Sequence, residues 1–151
     1  MNKSTLGLTL IELVIVSGIT VILATTIILL LNPTRYLAQS RNARRNADVV
    51  IIANAIGQNI VDNRGVFSCA AGAISASGTR MTIGVGNYNI APCLVPAYLD
   101  TLPYDPRATG ANYTSTTSYD TVYAIAKNAA TGRITISAIY PELGEIIAAT
   151  R

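Results

Sequence analysis

An apolar stretch near the N-terminus limits what this chain can fold into more than any other feature. It runs from Leu8 to Leu31, 24 residues with a single ionisable side chain, Glu12. As an α-helix it would be roughly 36 Å long, enough to cross a hydrocarbon core of about 30 Å. Three interpretations compete: a permanent membrane anchor, a removable secretory signal, or a helix that leaves the membrane to pack with copies of itself.

The secretory signal is the weakest of these interpretations. Such a signal has an apolar core of roughly 7 to 15 residues, followed by a cleavage site of small residues. The run is longer here, and the segment Leu29–Pro33 that ends it offers no such site. No cysteine lies nearby for lipid attachment. A plain anchor explains the length, but leaves Glu12 with no purpose beyond reaching water at the headgroup level.

The start of the run resembles the prepilin signal of type IV pilins and the related pseudopilins. Ser4-Thr5-Leu6-Gly7 is followed by Leu8-Thr9-Leu10-Ile11-Glu12-Leu13-Val14. In that family a membrane peptidase cuts after the glycine and N-methylates the new first residue, and a glutamate is retained where Glu12 stands. The resemblance implies cleavage between Gly7 and Leu8, methylation of Leu8 and a role for Glu12 in filament assembly. The chain departs from the family pattern in two ways. Leu8 stands where phenylalanine is the commonest residue, and no basic residue directly precedes Gly7.

The electrostatics of such processing are coherent. The new α-amino group has a reference pKa of about 7.7 to 8.0, and a cation at a helix N-terminus gains from a nearby anion. Glu12 of a staggered neighbouring subunit can supply that anion. Small and hydroxyl residues favour helix contacts in lipid, and Ser17-Gly18 and Ala24-Thr25-Thr26 provide them. The resemblance implies three partners: copies of the chain in a helical homopolymer, the prepilin peptidase and an inner-membrane assembly platform.

Length and charge limit the remainder to one modest domain. The chain has 151 residues and a formal net charge of +3; loss of Lys3 with the leader leaves 11 − 1 = 10 basic against 8 acidic side chains, or +2. That charge does not by itself indicate nucleic-acid binding, which stays open. The expected division is a leader at 1–7, a transmembrane and filament-core helix at 8–31, an amphipathic continuation at 32–62 and a globular head at 63–151.

One long helix is predicted from Leu8 to Val61, broken or bent at Pro33. Proline removes a hydrogen bond inside a helix, although Pro33 can also simply begin the second half. Beyond it, an apolar stripe has helical spacing and is expected to face a sheet: Val49, Ile52, Ile56 and Ile60, widened by Val50 and Ile51. Gly65 is expected to end this helix in a left-handed cap.

The second half of the helix also carries a basic segment, formed by Arg35, Arg41, Arg44 and Arg45. One interpretation is a solvated face or a contact with lipid headgroups. The other is pairing between subunits with Asp48 or Asp62. DNA contact is not supported, because no aromatic side chains are interleaved with the arginines.

Two cysteines enclose a loop region rich in small residues. Cys69 and Cys93 are not in CxxC spacing, and the chain has no histidine to complete a usual zinc set. In an oxidising exterior a disulfide is the natural expectation, with two free thiols as the alternative. A short strand is predicted within this region, at 82–85.

The C-terminal part is predicted to form a small sheet. Leu102-Pro103-Tyr104-Asp105-Pro106 resembles the Leu-Pro-x-Asp-Pro segment of many pilin-like heads, with Asp105 bonding backbone amides in a turn. A loop is expected at 107–118, then strands at 119–126 and 133–139 around a turn ending at Gly132, and a third at 145–149. The expected class is α+β: a long N-terminal helix packed on three to four antiparallel strands, the pilin fold.

The sequence contains no catalytic constellation, so an enzyme is not expected, and neither is a cofactor. The resemblance to some pseudopilin heads allows calcium at scattered carboxylates, although their spacing is not that of an ion loop: Asp105, Asp120, Glu142 and Glu145. Glu142 and Glu145 are expected at the solvated surface.

Three functions remain open. The leading expectation is the major subunit of a type IV pilus for adhesion, twitching motility or DNA uptake, held in the inner membrane before assembly and on the cell surface afterwards. The second is a pseudopilin of a secretion or competence system. The third is a membrane-anchored binding protein that does not polymerise.

Overall fold

A computed structural model describes residues 7–151. The expected leader therefore lies outside the described residues except for its last position, Gly7. The chain divides into two units, Met1–Leu37 and Ala38–Arg151.

The first unit contains helix α1, which spans Leu10–Leu31. Within it, Leu10–Ile28 is long and apolar enough to cross a membrane, as judged by length and composition. Asn32 ends the helix with a φ of 43°, in the left-handed region that asparagine tolerates better than most residues. Pro33 is the first residue of helix α2, where its missing N–H costs no helical hydrogen bond.

Helix α2 spans Pro33–Asp62, and the greater part of it belongs to the second unit. The apolar stripe expected from the sequence is confirmed: Val49, Ile52 and Ile56 are fully buried, and Ile60 packs against the core. The prediction that Val50 and Ile51 widen this buried stripe is wrong. Val50 and Ile51 are 39% and 44% exposed, because a turn of about 100° per residue carries them away from the buried side.

The end of α2 is a left-handed cap. Arg64 and Gly65 have φ values of 58° and 88°. The N–H of Gly65 donates to the carbonyl of Ile60 at 2.8 Å, which satisfies one of the carbonyls that a helix end leaves unpaired. Gly65 is left-handed as expected, and Arg64 shares that conformation.

Five antiparallel strands form the sheet of the second unit. They are β1 (Thr79–Thr82), β2 (Asn112–Ser115), β3 (Ser118–Lys127), β4 (Ile134–Ala138) and β5 (Ala148–Thr150). The order is β1-β3-β4-β5, with β2 also paired to β3. A short helix, α3, spans Ala91–Leu94.

The core lies between α2 and this sheet. Tyr123 and Ile125 of β3 and Ile134 and Ile136 of β4 belong to the same buried cluster as the stripe of α2. The register of the strands strengthens this core, because Ile125 of β3 lies opposite Ile136 of β4. The α+β class is therefore confirmed: an apolar N-terminal helix continues into a long helix that packs on a small antiparallel sheet.

Three details of the predicted sheet are wrong. The strand expected at 82–85 lies at Thr79–Thr82, and the loop expected at 107–118 contains β2. The last strand lies at Ala148–Thr150 rather than 145–149. Short strands carry few alternating positions, so the pattern alone cannot place their ends, and pairing with β3 or β4 decides their register.

Candidate processing and assembly site

The predicted cleavage site lies just outside α1. Gly7, Leu8 and Thr9 are not helical, and all three are exposed, Leu8 to 74%. A side chain built on Gly7 would meet no other group among residues 7–151. Within this part of the chain, nothing packs against the carboxyl side of the predicted cleavage site.

Thr9 caps the first turn of α1. Its Oγ1 accepts a hydrogen bond from the backbone N–H of Glu12 at 3.3 Å, and its carbonyl accepts from the N–H of Leu13 at 3.1 Å. Glu12 lies in the first turn, where negative charge is favoured by the helix dipole. Thr9-x-x-Glu12 is a capping-box sequence, a signal that the sequence analysis missed.

The capping box is only half formed. In a complete box the carboxylate would reach back to the backbone N–H of Thr9. Within the described residues, the Glu12 carboxylate has neither a hydrogen-bond donor nor an ion-pair partner. The first turn of α1 is therefore capped by the side chain of Thr9 rather than by that of Glu12.

The side chains of α1 that the structure describes are exposed on every side of the helix. Ile11, Leu13 and Val14 are 68%, 62% and 58% exposed. Hydroxyl groups are satisfied locally, since Ser17 donates to the carbonyl of Val14 at 2.9 Å and Thr20 to that of Val16 at 2.7 Å. A helix that is apolar all round and locally saturated in hydrogen bonds is suited to lipid or to other helices.

The second unit contains a cluster of charged side chains that was not predicted from the sequence. Arg45 is only 2% exposed, and it binds both carboxylate oxygens of Asp105 at 2.7 and 3.1 Å. It also donates to Glu142 at 2.9 Å. Glu142 further accepts a bidentate pair from Arg41 at 2.6 and 2.7 Å and one bond from Arg107 at 2.9 Å. This arginine–carboxylate cluster ties α2 to two distant loops.

Two expectations for these residues were wrong. Glu142 is not a solvated surface group, because its side chain is 19% exposed and three arginines bind it. Arg45 is neither at a solvated face nor free to pair with a neighbour, because it is 2% exposed and binds Asp105 and Glu142 of its own chain. Pairing of Arg35 or Arg44 between subunits stays a prediction. Glu145 is exposed, as expected. The residues that pair are 35 to 101 positions apart in the chain, so no local sequence pattern could have shown these pairs.

Asp105 has the turn role that the sequence predicted. The backbone N–H groups of Arg107 and Ala108 both donate to its Oδ1 at 2.8 Å. Burial alone would raise the pKa of Asp105, but the hydrogen bonds from Arg45 and from these two amides outweigh it and lower the pKa. Hydrogen bonds from Arg41 and then Arg45 hold the pKa of Glu142 far below its ordinary value.

A second buried carboxylate behaves in the opposite way. Asp48 is 7% exposed and accepts a hydrogen bond from the hydroxyl of Tyr123 at 2.8 Å. Burial raises the pKa of Asp48, against the hydrogen bond from Tyr123 and the charge of Arg44. Burial, and then the hydrogen bond to Asp48, raise the pKa of Tyr123 strongly. This pair links α2 to β3 through the core.

Cys69 and Cys93 form a disulfide, as predicted, with their Cα atoms 5.2 Å apart. The bond closes a loop across a sequence separation of 24. Asn59 of α2 donates to the carbonyls of Ser68 and Cys93, at 3.2 and 3.4 Å. The loop is therefore held both covalently and by the last turns of α2.

Three of the four carboxylates considered for calcium already have cationic partners. Asp120 accepts a bidentate pair from Arg80 at 2.8 and 2.7 Å, and Asp105 and Glu142 are held in the arginine–carboxylate cluster. Over residues 7–151, no group of three or more histidine, cysteine or acidic side chains is placed to hold a metal ion. Neutralisation by arginine disfavours a hard divalent cation at these three positions.

Comparison with known proteins gives no relative: no family model, no characterised protein and no solved structure matches the chain.

Proposed function

We propose that this chain is a pilin-like structural subunit. A membrane peptidase cleaves it between Gly7 and Leu8 and methylates Leu8, and copies then pack through α1 into a filament. The observation that carries the proposal is the contrast at the N-terminus of α1. An exposed, non-helical Gly7–Thr9 precedes a helix that is apolar on every side and carries Glu12, whose carboxylate has no partner within residues 7–151.

The geometry supports separate roles for Thr9 and Glu12. Thr9 already fills the local cap, so the carboxylate of Glu12 is not needed to begin α1. After cleavage, the amine of Leu8 is a cation at the N-terminal end of the helix, where the dipole disfavours it. Glu12 of a neighbouring copy is suited to neutralise that amine in a filament core, where an unpaired charge is costly.

The head, meaning the second unit Ala38–Arg151, supports a structural role more than a ligand-binding one. A disulfide, a buried ion-pair cluster and a five-stranded sheet tie its segments together. We expect the inner membrane to hold the unassembled subunit, with the head on the extracytoplasmic side, where disulfides form. A long surface filament is our preferred assembly; a short pseudopilus is the variant that filament length separates from it.

The first experiment is intact mass and N-terminal sequencing of the protein from its native cells. A chain that begins at Leu8 with one added methyl group is the expected result. Gly7→Val should block cleavage, because the branched side chain obstructs the scissile bond. Gly18→Val is the matched control, since a side chain at Gly18 also meets no other group. A wild-type chain that still begins at Met1 would leave a plain membrane anchor.

Assembly is tested separately from processing. Glu12→Gln should be cleaved normally but should lose filaments from the sheared surface fraction, at least about tenfold if the pair is worth 1.4 kcal/mol or more. Thr9→Ala is the control: it removes the cap at about 1 kcal/mol of helix stability and keeps the charge. Filament yields equal in wild type and Glu12→Gln would contradict the assigned role.

A further inference from the structure

The turn that joins β4 to β5 has an unexpected residue at its tip. Leu143 and Gly144 have φ values of 59° and 70°, and the N–H of Glu145 donates to the carbonyl of Glu142 at 3.3 Å. Turns with two positive φ values favour asparagine, aspartate and glycine. An aliphatic side chain there is strained. Leu143 is 50% exposed, so burial in the head does not offset that strain.

A second aliphatic side chain projects from the same turn region. Ile146 is 94% exposed. It borders a shallow cleft of about 340 Å³ against Gln39 and Asn42 of α2. Asn42 fixes the turn by donating to the carbonyl of Glu142 at 2.7 Å and accepting from its N–H at 3.0 Å. Leu143 and Ile146 are thus displayed by a rigidly held turn.

The turn is anchored to the part of the second unit that is nearest, along the chain, to the apolar run. Gln39 is six residues beyond Pro33 within α2, which corresponds to about 9 Å of helix. The apolar run ends at Leu31. The headgroup layer outside the hydrocarbon is roughly 5 to 7 Å thick on each side. Chain connectivity therefore limits how far this end of the head can lie from any bilayer that α1 spans.

We propose that the β4–β5 turn is a second membrane contact of the unassembled subunit, with Leu143 and Ile146 inserted into the headgroup layer. The proposal rests on insertion of α1 into a membrane, as under the proposed function, and not on polymerisation. Lipid is a better occupant than a second copy of the chain. Two aliphatic side chains fall far short of the roughly 1,000 Å² of a specific protein interface, but a tethered head needs only a small contact.

The charges around the turn fit apolar insertion more than attraction to anionic lipid. Arg107, whose side chain is 66% exposed, already donates to Glu142 at 2.9 Å. Arg41 is engaged by Glu142, and the exposed Glu145 opposes anionic headgroups. We therefore expect a weak dependence on anionic lipid and a strong dependence on the two aliphatic side chains.

The chain has no tryptophan, so a single introduced tryptophan reports on its own surroundings. The full chain with Ile146→Trp is reconstituted into vesicles of phosphatidylethanolamine and phosphatidylglycerol at large lipid excess. We expect a blue-shifted emission maximum and loss of intensity when the acyl chains are brominated. Val61→Trp is the matched control: Val61 is 79% exposed and lies about 33 Å further along α2 than Gln39. Its emission should remain that of a residue in water.

A second variant tests the strained turn residue. Leu143→Asn places a favoured residue at the positive φ, so the urea midpoint of the head should stay equal or rise. The same substitution in the Ile146→Trp chain should reduce quenching by brominated lipid. A purely structural role for Leu143 would give the reverse: a lower urea midpoint and unchanged quenching, which would overturn the proposal.

The remaining outcomes are also decisive. Water-like emission from both tryptophans in protein that floats with the vesicles would overturn the turn contact while leaving α1 inserted. A blue shift without quenching by brominated lipid, growing with protein concentration, would assign the turn to a second copy instead. Protein that does not float with vesicles would refute insertion of α1, and with it both this contact and the membrane stage of the proposed function.

Discussion

Helices α1 and α2 carry similar aliphatic side chains, but those of α1 are exposed and those of the α2 stripe are buried. Ile11 and Leu13 of α1 are 68% and 62% exposed, whereas Val49, Ile52 and Ile56 of α2 are fully buried. The two helices differ just as much in charge. Glu12 has no partner among the described residues, while Arg45 binds two carboxylates of its own chain. The head thus completes its own contacts, whereas the apolar side chains of α1 that the structure describes remain exposed.

This difference follows from the arrangement of polar residues along each helix. A helix with one apolar stripe can be covered by one sheet, and α2 has this pattern. A helix that is apolar on every side can be satisfied only by lipid or by several other helices. Stability of the head and association of α1 should therefore be separable by substitution.

Breaking the arginine–carboxylate cluster should have the largest effect on the head. Arg45→Met leaves the buried Asp105 without its cation, and we expect a loss of about 3 to 5 kcal/mol in the free energy of unfolding. Urea unfolding of the full chain in detergent, followed by near-ultraviolet circular dichroism of tyrosine, measures it. The adjacent Arg44→Met is the control, because Arg44 is exposed and should cost less than about 0.5 kcal/mol. Equal losses in both variants would contradict a self-contained head.

Reducing the disulfide should come next. Opening the Cys69–Cys93 loop should lower the free energy of unfolding by about 3 to 4 kcal/mol, because the unfolded chain regains the entropy of a loop of this length. The same urea titration with and without reductant measures it. Flotation of the protein with vesicles should not change, since α1 contains neither cysteine. Loss of flotation on reduction would show that α1 depends on the head.

Neighbouring isoleucines of α2 test the burial pattern itself. Ile52→Ala removes a fully buried side chain and should cost about 2 to 4 kcal/mol, whereas Ile51→Ala, at a 44% exposed position, should cost less than about 1 kcal/mol. Thermal unfolding of the two variants in the same detergent gives the comparison. Similar costs would mean that a partner covers Ile51, so that this side of α2 would resemble α1.

Low pH should destabilise the arginine–carboxylate cluster by less than the changes above. The pKa of Glu142 is lowered in the folded protein, because Arg41 and Arg45 donate hydrogen bonds to its charged form. Its stabilisation is therefore present above the unfolded pKa of about 4.3 and is lost as pH falls through the folded pKa. Glu142→Gln should cost about 1 kcal/mol at pH 7. In urea titrations, the difference in free energy of unfolding between Glu142→Gln and wild type should become smaller towards low pH.

Asp48 provides a control for which the pH dependence of stability has the opposite sign. Its pKa is raised by burial, so the head gains stability at this site as pH falls through the folded pKa. The advantage of Asp48→Asn over wild type, if the amide keeps the bond from Tyr123, should therefore be largest at neutral pH and decrease in acid. Parallel pH profiles for Glu142→Gln and Asp48→Asn would contradict the opposite environments of the two carboxylates.

The amino-acid sequence by itself determined the elements that depend on local pattern. The apolar run of α1, the stripe from Val49 to Ile60, the disulfide between Cys69 and Cys93 and the turn at Asp105 could all be read from it. Composition and period specify these features, because each involves residues close in sequence or, for the cysteines, a pair with no rival.

Tertiary structure alone decided which charges and strand ends meet. The pairing of Arg45 with Asp105 and Glu142, the burial of Asp48 against Tyr123 and the register of β1, β2 and β5 join segments far apart in the chain. The exposure of Val50, Ile51 and Leu143 was likewise invisible in their apolar character. A residue type states what a side chain prefers, whereas burial depends on which surface the rest of the fold places against it.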